Sequence, residues 1–267
     1  MREVTLESWD DFGRITRKDR YQGWIFRGQS NNNWLLESSL LRAFREAENL
    51  GAISIEHPTN ERRRLSLETA IIDKFKTNAH LYLPSLPKHD DFLSWISLLQ
   101  HYGAPTRLLD FSFSPLVAAY FAIESGIEDA AIYCVNHKAF KRADKGLLGS
   151  DFKEIYEQIS STGNGGSHDV LYAFEPKFSN QRILAQQGVF LLPNGVTRSH
   201  GEILKRYKLN NTEGFKYRIP STLRKEGIRW LKQMNINAST LFPGLEGYCK
   251  SLKHLTFFQP SVLGKIG

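Results

Sequence analysis

Strand-like runs alternate unevenly with amphipathic helical stretches along this chain of 267 residues. No period of about 20 to 50 residues recurs, which excludes a solenoid or a propeller. Runs rich in β-branched and aromatic residues, typical of strands, stand at 24–26, 106–110, 130–135, 170–174 and 189–192. Apolar residues at helical spacing occupy the stretches 61–79, 92–99, 115–122, 152–159, 221–234 and 240–252. This uneven alternation predicts an α+β protein that folds as one domain.

The composition is that of an ordinary folded protein. Hydrophobic residues make up 41% of the chain and charged residues 24%, close to the averages of globular domains. No apolar run reaches the roughly 18 residues that a membrane span needs, and residues 1–7 lack the apolar core of a signal peptide. Cys134 and Cys249 are the only cysteines and form no C-x-x-C pair, which excludes a zinc knuckle and a disulfide framework. We expect a cytoplasmic protein that uses no metal and no membrane.

The net charge of +7 favours anionic partners such as nucleic acid, nucleotides or acidic protein surfaces. The basic residues are spread along the chain without a cationic tail, so a solvated surface accounts for most of them. Arg62, Arg63 and Arg64 open a predicted helix, where the positive end of the helix dipole disfavours cations. We expect these three side chains to lie in solvent, and contact with an anion is the alternative.

Several common catalytic motifs are absent from the sequence. It contains no G-x-x-x-x-G-K-[ST] phosphate loop, no G-x-S-x-G elbow and no H-E-x-x-H, which excludes the usual NTPase, esterase and zinc-protease sites. The segment 161–167, Ser-Thr-Gly-Asn-Gly-Gly-Ser, is predicted to be the most flexible stretch. It is a candidate lid over a ligand, and a plain surface loop is the alternative.

The first candidate site segment is Phe26-Arg27-Gly28-Gln29. The preceding aromatic run predicts a strand that presents Arg27 at its tip, after which Gly28 lets the backbone turn. A guanidinium offers a rigid fork of donors and suits an anion. A structural ion pair is the alternative function of Arg27.

The second segment, residues 100–115, packs polar groups between apolar ones. A helix that begins after Asp90-Asp91 is predicted to end at His101. His101 is a candidate acid or base, and a partner for the helix dipole is the alternative. Arg107 and Asp110 are candidate ligand and catalytic groups, or they form a buried salt bridge that fixes the turn.

Ser112 and Ser114 precede a predicted helix with Pro115 at its first position and a small-residue face at 118–122. Free backbone N–H groups at a helix entrance favour a phosphate or another anion. Simple N-capping by Ser114 is the alternative.

The third segment, residues 182–190, places Gln186 and Gln187 before Gly188 and a strand. Amides donate to and accept from ribose hydroxyls or a base edge, and capping of the strand edge is the alternative. We expect the segments 26–29, 100–122 and 182–190 to converge into one polar site that binds an anionic nucleotide.

These motifs resemble, in order, those of the FRG-domain family, named for its Phe-Arg-Gly motif. The similar segments are 26–29, 100–110, 114–122 and 182–190. The resemblance extends from about Trp24 to the segment 241–247, and it implies one FRG domain over residues 1–267 with a motif core at about 24–247.

A weaker resemblance is to ADP-ribosyltransferases of the Arg-Ser-Glu type. Those enzymes carry a Tyr-Arg-Gly-like strand, a Ser-Thr-Ser strand leading into an Ala-Ala-x-Phe helix, and then a catalytic carboxylate. Arg27-Gly28, Ser112-Phe113-Ser114 and Gln186-Gln187 stand in a similar order. The resemblance implies a mixed or antiparallel sheet with flanking and C-terminal helices. It also implies that Arg27 holds the NAD phosphates or ribose, and that Ser112 or Ser114 supports the nicotinamide ribose.

The third motif departs from the transferase pattern, because glutamine stands where that pattern has glutamate. Gln187 cannot offer a negative charge to an oxocarbenium-like transition state, and losing such a term costs on the order of a hundredfold or more in rate. Asp110 or Glu246 would supply the carboxylate if the fold brings either one close. The predicted cofactor-binding residues are Arg27, Gly28, Gln29, Arg107, Ser112, Ser114 and Gln186. The predicted catalytic residues are Arg27, His101, Asp110, Gln187 and Glu246.

The leading hypothesis is an NAD-binding enzyme that cleaves the nicotinamide–ribose bond and transfers ADP-ribose to a macromolecule or to water. The basic charge balance favours a nucleic acid acceptor. One alternative is a non-catalytic module that binds nucleotide or nucleic acid. Another is a sensor or toxin in phage defence whose chemistry a partner switches on.

Overall fold

The computed structural model describes residues 1–17, 21, 23–52, 59–177 and 180–257. Within these residues seven strands form one sheet of order β1-β7-β4-β2-β3-β6-β5. The strands are β1 (Arg2–Thr5), β2 (Trp24–Gln29), β3 (Leu109–Ser112), β4 (Ala130–Asn136), β5 (Leu171–Phe174), β6 (Gly188–Pro193) and β7 (Gly214–Ile219). Strand β1 runs parallel to β7, whereas the other neighbours are antiparallel. The predicted combination of helices with one mixed sheet is confirmed.

Helices surround the sheet on both faces. They are α1 (Trp9–Thr16), α2 (Ser39–Asn49), α3 (Thr59–Ala79), α4 (Phe92–His101), α5 (Pro115–Ile123), α6 (His137–Leu148), α7 (Phe152–Thr162), α8 (Gln181–Ala185), α9 (His200–Arg206), α10 (Arg224–Gln233), α11 (Ala238–Leu241) and α12 (Leu245–Leu252). Short 3₁₀ turns occupy Gly149–Asp151, Ser221–Leu223 and Lys253–Phe257. In the described part of the chain, no helix combines the length and apolar character of a membrane span.

Two of the predicted helix starts are confirmed by their capping bonds. Asp91 accepts a hydrogen bond from the backbone N–H of Ser94 and caps α4. Ser114 accepts one from the backbone N–H of Val117, and Pro115 is the first residue of α5. Such caps satisfy N–H groups that the first helical turn leaves unpaired.

The alternation of side chains along β2 divides the core into two layers. Trp24 and Phe26 pack with residues of α1, α5 and α10 on one face of the sheet. Ile25 packs on the other face with residues of β3, β6 and α9. Since successive side chains of a strand point to opposite faces, Arg27 and Gln29 belong to the Ile25 face.

Gly28 permits close contact between β2 and α5. A Cβ atom at this position would lie 2.5 Å from the backbone nitrogen of Ala122 and still closer to the carbonyl oxygen of Ala118. The prediction that Gly28 turns the backbone is wrong, because β2 continues through Gly28 to Gln29. The glycine is needed for packing rather than for a turn.

Strands β2 and β3 separate shortly after they meet. They pair at Phe26 with Ser112, while β2 pairs with β4 over six residues and β3 with β6 over four. The sheet therefore opens between Gly28 and Asp110. The predicted strand at 106–110 is displaced, since β3 spans Leu109–Ser112.

Candidate functional site

A cavity of about 420 Å³ lies where β2 and β3 separate. Small-molecule sites range from about 300 to 1,000 Å³. The cavity brings together parts of the segments 26–29, 100–112 and 182–186, with further walls from α5 and from Trp34. The three segments expected to converge thus meet at one cavity.

Arg27 joins the two sides of the opening in the sheet. Its Nη1 donates a hydrogen bond to the carbonyl oxygen of Asp110 at 2.7 Å. Its Nε is buried and has no hydrogen-bond partner among the described residues. Burial lowers the pKa of the Arg27 guanidinium, and the nearby Asp110 carboxylate opposes that shift. Because arginine remains protonated in proteins, Arg27 gives this wall a positive charge.

Gln29 adds a buried acceptor to the same wall. It is 5% exposed, and its Nε2 donates to the carbonyl oxygen of Leu35 at 3.3 Å. Its Oε1 is buried and accepts no hydrogen bond from any described residue. A buried polar group without a partner costs about 1–3 kcal/mol.

Asp110 and Gln100 form the polar floor beside Arg27. Nε2 of Gln100 donates to Oδ2 of Asp110 at 2.8 Å. Oε1 of Gln100 accepts from the hydroxyl of Thr106, which fixes the orientation of the amide. The Asp110 side chain is exposed and lines the cavity. The predicted carboxylate is therefore at the site.

Glu124 is a second carboxylate in the cavity, and the sequence analysis missed it. It lies at the C-terminal end of α5, where its Oε2 accepts from the hydroxyl of Tyr120 at 3.3 Å. Val117, Phe121 and Glu124 all line the cavity. Their spacing of four and three residues places them on one face of α5. That spacing was the signal in the sequence.

His101 and Arg182 both line the cavity. Burial lowers the pKa of the His101 imidazole, the positive charge of Arg182 lowers it further, and Glu246 opposes both. The lowered pKa favours the neutral imidazole, which can accept a proton. The Arg182 guanidinium stacks over the Phe242 ring at 4.7 Å from the centroid.

Ser112 at the end of β3 binds Gln186, which follows α8 and precedes β6. The Ser112 hydroxyl donates to the carbonyl oxygen of Gln186 at 2.7 Å and accepts from the backbone N–H of Ser114 at 2.9 Å. Nε2 of Gln186 donates to the carbonyl oxygen of Leu241 at 3.0 Å. Both residues line the cavity. The segment 182–190 therefore contributes Gln186, the first of its two glutamines, to the cavity wall.

Much of this cavity wall lies in a segment that is similar to a known domain family. Residues 22–130 match the family model of the FRG domain. The matched segment contains Arg27, Asp110, Ser112 and Glu124, whereas Arg182 and Gln186 lie beyond its end. Comparisons with curated proteins and with solved structures gave no match.

Within the FRG segment, Arg107 lies away from the cavity. Its Nε and Nη2 bind the two carboxylate oxygens of Glu68 at 2.9 and 2.7 Å, and it is 3% exposed. Its Nη1 donates to the carbonyl oxygens of Pro193 and Asn194. The expected partner Asp110 is replaced by Glu68. All three guanidinium nitrogens are engaged within the fold, so the nucleotide-binding role predicted for Arg107 does not fit this position.

Three other predicted residues also lie outside the cavity lining. Ser114 serves as the N-cap of α5. Gln187 has an exposed side chain and a left-handed backbone with φ of 47°, and its carbonyl oxygen accepts from Phe113 N–H. Glu246 is exposed and bonded to Lys250 at 2.6 Å, and this bond lowers the pKa of its carboxyl. Of the two glutamines, only Gln186 lines the cavity.

The candidate lid at 161–167 does not line the cavity of the FRG segment. It is bound to Asn194, whose Oδ1 accepts from Gly165 N–H and whose Nδ2 donates to the carbonyl oxygens of Gly166 and His168. These bonds tie the loop to the end of β6. Over the described ranges, no group of three or more His, Cys, Asp or Glu side chains could hold a metal ion.

Proposed function

We propose that the cavity binds NAD or a related nucleotide and that the protein is an ADP-ribosyltransferase-like enzyme. The observation that carries this proposal is the meeting of Arg27, Ser112 and Gln186 at one cavity, from segments that are neighbours in the sheet. Their order along the chain is the order of the Arg-Ser-Glu motifs. A buried cation beside hydroxyl and amide groups suits a pyrophosphate with its ribose.

Two cations of the cavity lining would hold the pyrophosphate. Arg27 and Arg182 both line the cavity, and guanidinium groups bind phosphate oxygens in a bidentate manner. The Gln186 amide would bind ribose hydroxyls, since it both donates and accepts. These contacts would fix the nicotinamide–ribose bond relative to the carboxylates.

Cleavage would break the bond between the ribose C1′ and the nicotinamide nitrogen, and nicotinamide would leave with the bonding electrons. The ribose then carries positive charge, which a nearby carboxylate stabilises. We assign this role to Glu124 before Asp110, because Glu124 is half-buried whereas Asp110 is exposed, and a less solvated charge acts more strongly. The acceptor oxygen would bond to C1′ and give its proton to neutral His101.

The acceptor would be a macromolecule or water. The net charge of +7 favours nucleic acid, because cations concentrate near phosphate backbones. Incubating the protein with NAD and separately with RNA, DNA, protein or buffer would distinguish these acceptors by where the ADP-ribose is found.

Release of nicotinamide from NAD tests the proposal. Arg27→Ala should lower the rate at least about a hundredfold, the scale expected for loss of a key charged contact. Arg27→Lys keeps the positive charge but loses the planar fork of donors, so its rate of nicotinamide release should lie between those of wild type and Arg27→Ala. Arg142→Ala is the control, because Arg142 forms an exposed ion pair with Glu213 outside the cavity. Equal release by folded Arg27→Ala and wild type, or none by wild type, would reject the proposal.

A second candidate function is a non-catalytic module that binds nucleotide or nucleic acid. It is favoured by the third motif, which brings the amide of Gln186 to the cavity rather than a carboxylate. This function predicts binding without turnover. Titrations with NAD and with single-stranded RNA and DNA at two salt concentrations separate the two, because affinity through polynucleotide phosphates falls steeply with salt.

A further inference from the structure

Asp110 places an exposed carboxylate in the cavity. Its neighbours in β3, Leu109 and Phe111, pack on the Ile25 face of the sheet. Because side chains alternate along a strand, Asp110 points to the opposite face. That face carries α5, whose buried residues pack there with Phe26. The Asp110 carboxylate therefore lies on the α5 side of the sheet, where a ligand in the cavity can reach it.

One oxygen of this carboxylate is held by the protein and the other is open. Oδ2 accepts from Nε2 of Gln100 at 2.8 Å. The Gln100 amide is held in turn by the Thr106 hydroxyl, which also accepts from the backbone N–H of Leu108 at 3.2 Å. Among the described residues, no donor bonds to Oδ1 of Asp110. The carboxylate is thus oriented before a ligand arrives, which lowers the entropy cost of binding.

Arg27 does not neutralise this carboxylate by direct pairing. Its Nη1 donates to the backbone carbonyl oxygen of Asp110, and within the described part of the chain its side chain forms no ion pair with the Asp110 side chain. A carboxylate accepts hydrogen bonds and repels anions. The position beside Oδ1 of Asp110 therefore favours a hydroxyl group over a phosphate group.

We propose that Asp110 accepts a hydrogen bond from the 2′-hydroxyl of the adenosine ribose and thereby selects NAD over NADP. NAD has two riboses, and the proposed function places the nicotinamide ribose at Glu124, which leaves the adenosine ribose to Asp110. In NADP a phosphate replaces the hydrogen of this hydroxyl, so the donor is lost and a like charge faces the carboxylate. The inference rests on the proposed function and adds which dinucleotide the site accepts.

ADP-ribose and ADP-ribose 2′-phosphate are the two test ligands. They differ only at the 2′ oxygen of the adenosine ribose, and neither contains the nicotinamide–ribose bond, so turnover does not disturb the titration. Isothermal titration calorimetry measures both affinities. Wild type should bind ADP-ribose at least about a hundredfold more tightly, because losing a hydrogen bond to a charged group weakens binding about ten- to a hundredfold and the repulsion of the phosphate weakens it further.

Asp110→Asn keeps the size of the side chain and removes its charge. This variant should bind ADP-ribose about tenfold more weakly than wild type does, the scale for a hydrogen bond to a charged group. It should bind the 2′-phosphate more tightly than wild type does, because the repulsion is gone. Damage to the fold would weaken both affinities, so opposite changes report the contact itself. The control Asp73→Asn, exposed on α3 outside the cavity, should keep the wild-type preference.

The outcomes separate this inference from the proposed function. If wild type releases nicotinamide from NAD but binds the two ADP-ribose ligands equally well, this inference alone is overturned. A preference for ADP-ribose that survives unchanged in folded Asp110→Asn overturns it as well. If wild type binds neither ligand and releases no nicotinamide, the proposed function is rejected together with the inference.

Discussion

Substituting Gly28 tests whether close packing of β2 on α5 shapes the cavity. The added methyl group of Gly28→Ala would lie 2.5 Å from the backbone nitrogen of Ala122, where ordinary contact begins at 3.4 Å. The Ala118 carbonyl oxygen is closer still, and because the obstacle is backbone rather than a flexible side chain, α5 must retreat by about 1.5 Å. Overpacking costs about 1–3 kcal/mol, and a backbone clash belongs at the upper end or beyond. The free energy of unfolding should therefore fall by about 3 kcal/mol.

The same displacement should also weaken ligand binding, because Val117, Phe121 and Glu124 of α5 line the cavity. Urea denaturation followed by circular dichroism measures the stability change. The matched control is Gly146→Ala in α6, where an added Cβ meets nothing within 4 Å. It should stabilise the protein by about 0.5–1 kcal/mol, since alanine is the better helix former. An unchanged midpoint for Gly28→Ala would refute the packing argument.

Three further changes probe other parts of the structure. Glu68→Gln breaks the buried pair with Arg107 and should lower the free energy of unfolding, measured in urea, by about 3–5 kcal/mol. Asp169→Asn in an exposed pair should lower it by less than about 1 kcal/mol. Equal losses for the two variants would contradict this expectation. Burial lowers the pKa of His200 from 6.5 to about 4, so the unfolded state binds the proton at a higher pH than the folded state does. The free energy of unfolding should therefore fall by about 3 kcal/mol as the pH drops from 6.5 to about 4. His200→Gln should flatten this pH dependence, and an unaltered slope would show that other groups cause it. Glu124→Gln should slow nicotinamide release about a hundredfold while NAD still binds; an unaffected rate would exclude Glu124 as the stabilising carboxylate.

The sequence was most informative where local chemistry decides the structure. Ser114 before Pro115 predicted the start of α5, because a capping side chain and a fixed φ act within one turn. Polar residues between apolar runs predicted that Arg27, Asp110 and Gln186 would share a site, and all three line one cavity.

Features that depend on distant partners could not be predicted. The helix dipole predicted that Arg62, Arg63 and Arg64 lie in solvent, with contact to an anion as the alternative. The alternative holds for Arg64, which is buried, binds Glu48 and lies over the Phe44 ring. The pattern along one helix does not reveal which other elements cover it. The separation of β2 from β3 depends on how two strands pair that lie more than 80 residues apart in the chain.

The sequence also could not predict which of two adjacent glutamines would reach the cavity. Gln186 and Gln187 are adjacent, yet the first lines the cavity and the second is exposed. The left-handed backbone at Gln187 turns the chain between them, and a non-glycine residue in that region gives little signal in a sequence.

A crystal structure of the protein soaked with NAD tests the central claim most directly. The account predicts the dinucleotide in the opening between β2 and β3, with a phosphate or ribose oxygen bound by Arg27 and the C1′ atom of the nicotinamide ribose facing Glu124. Nucleotide bound elsewhere, or a cavity that stays free of nucleotide at saturating NAD, would contradict it.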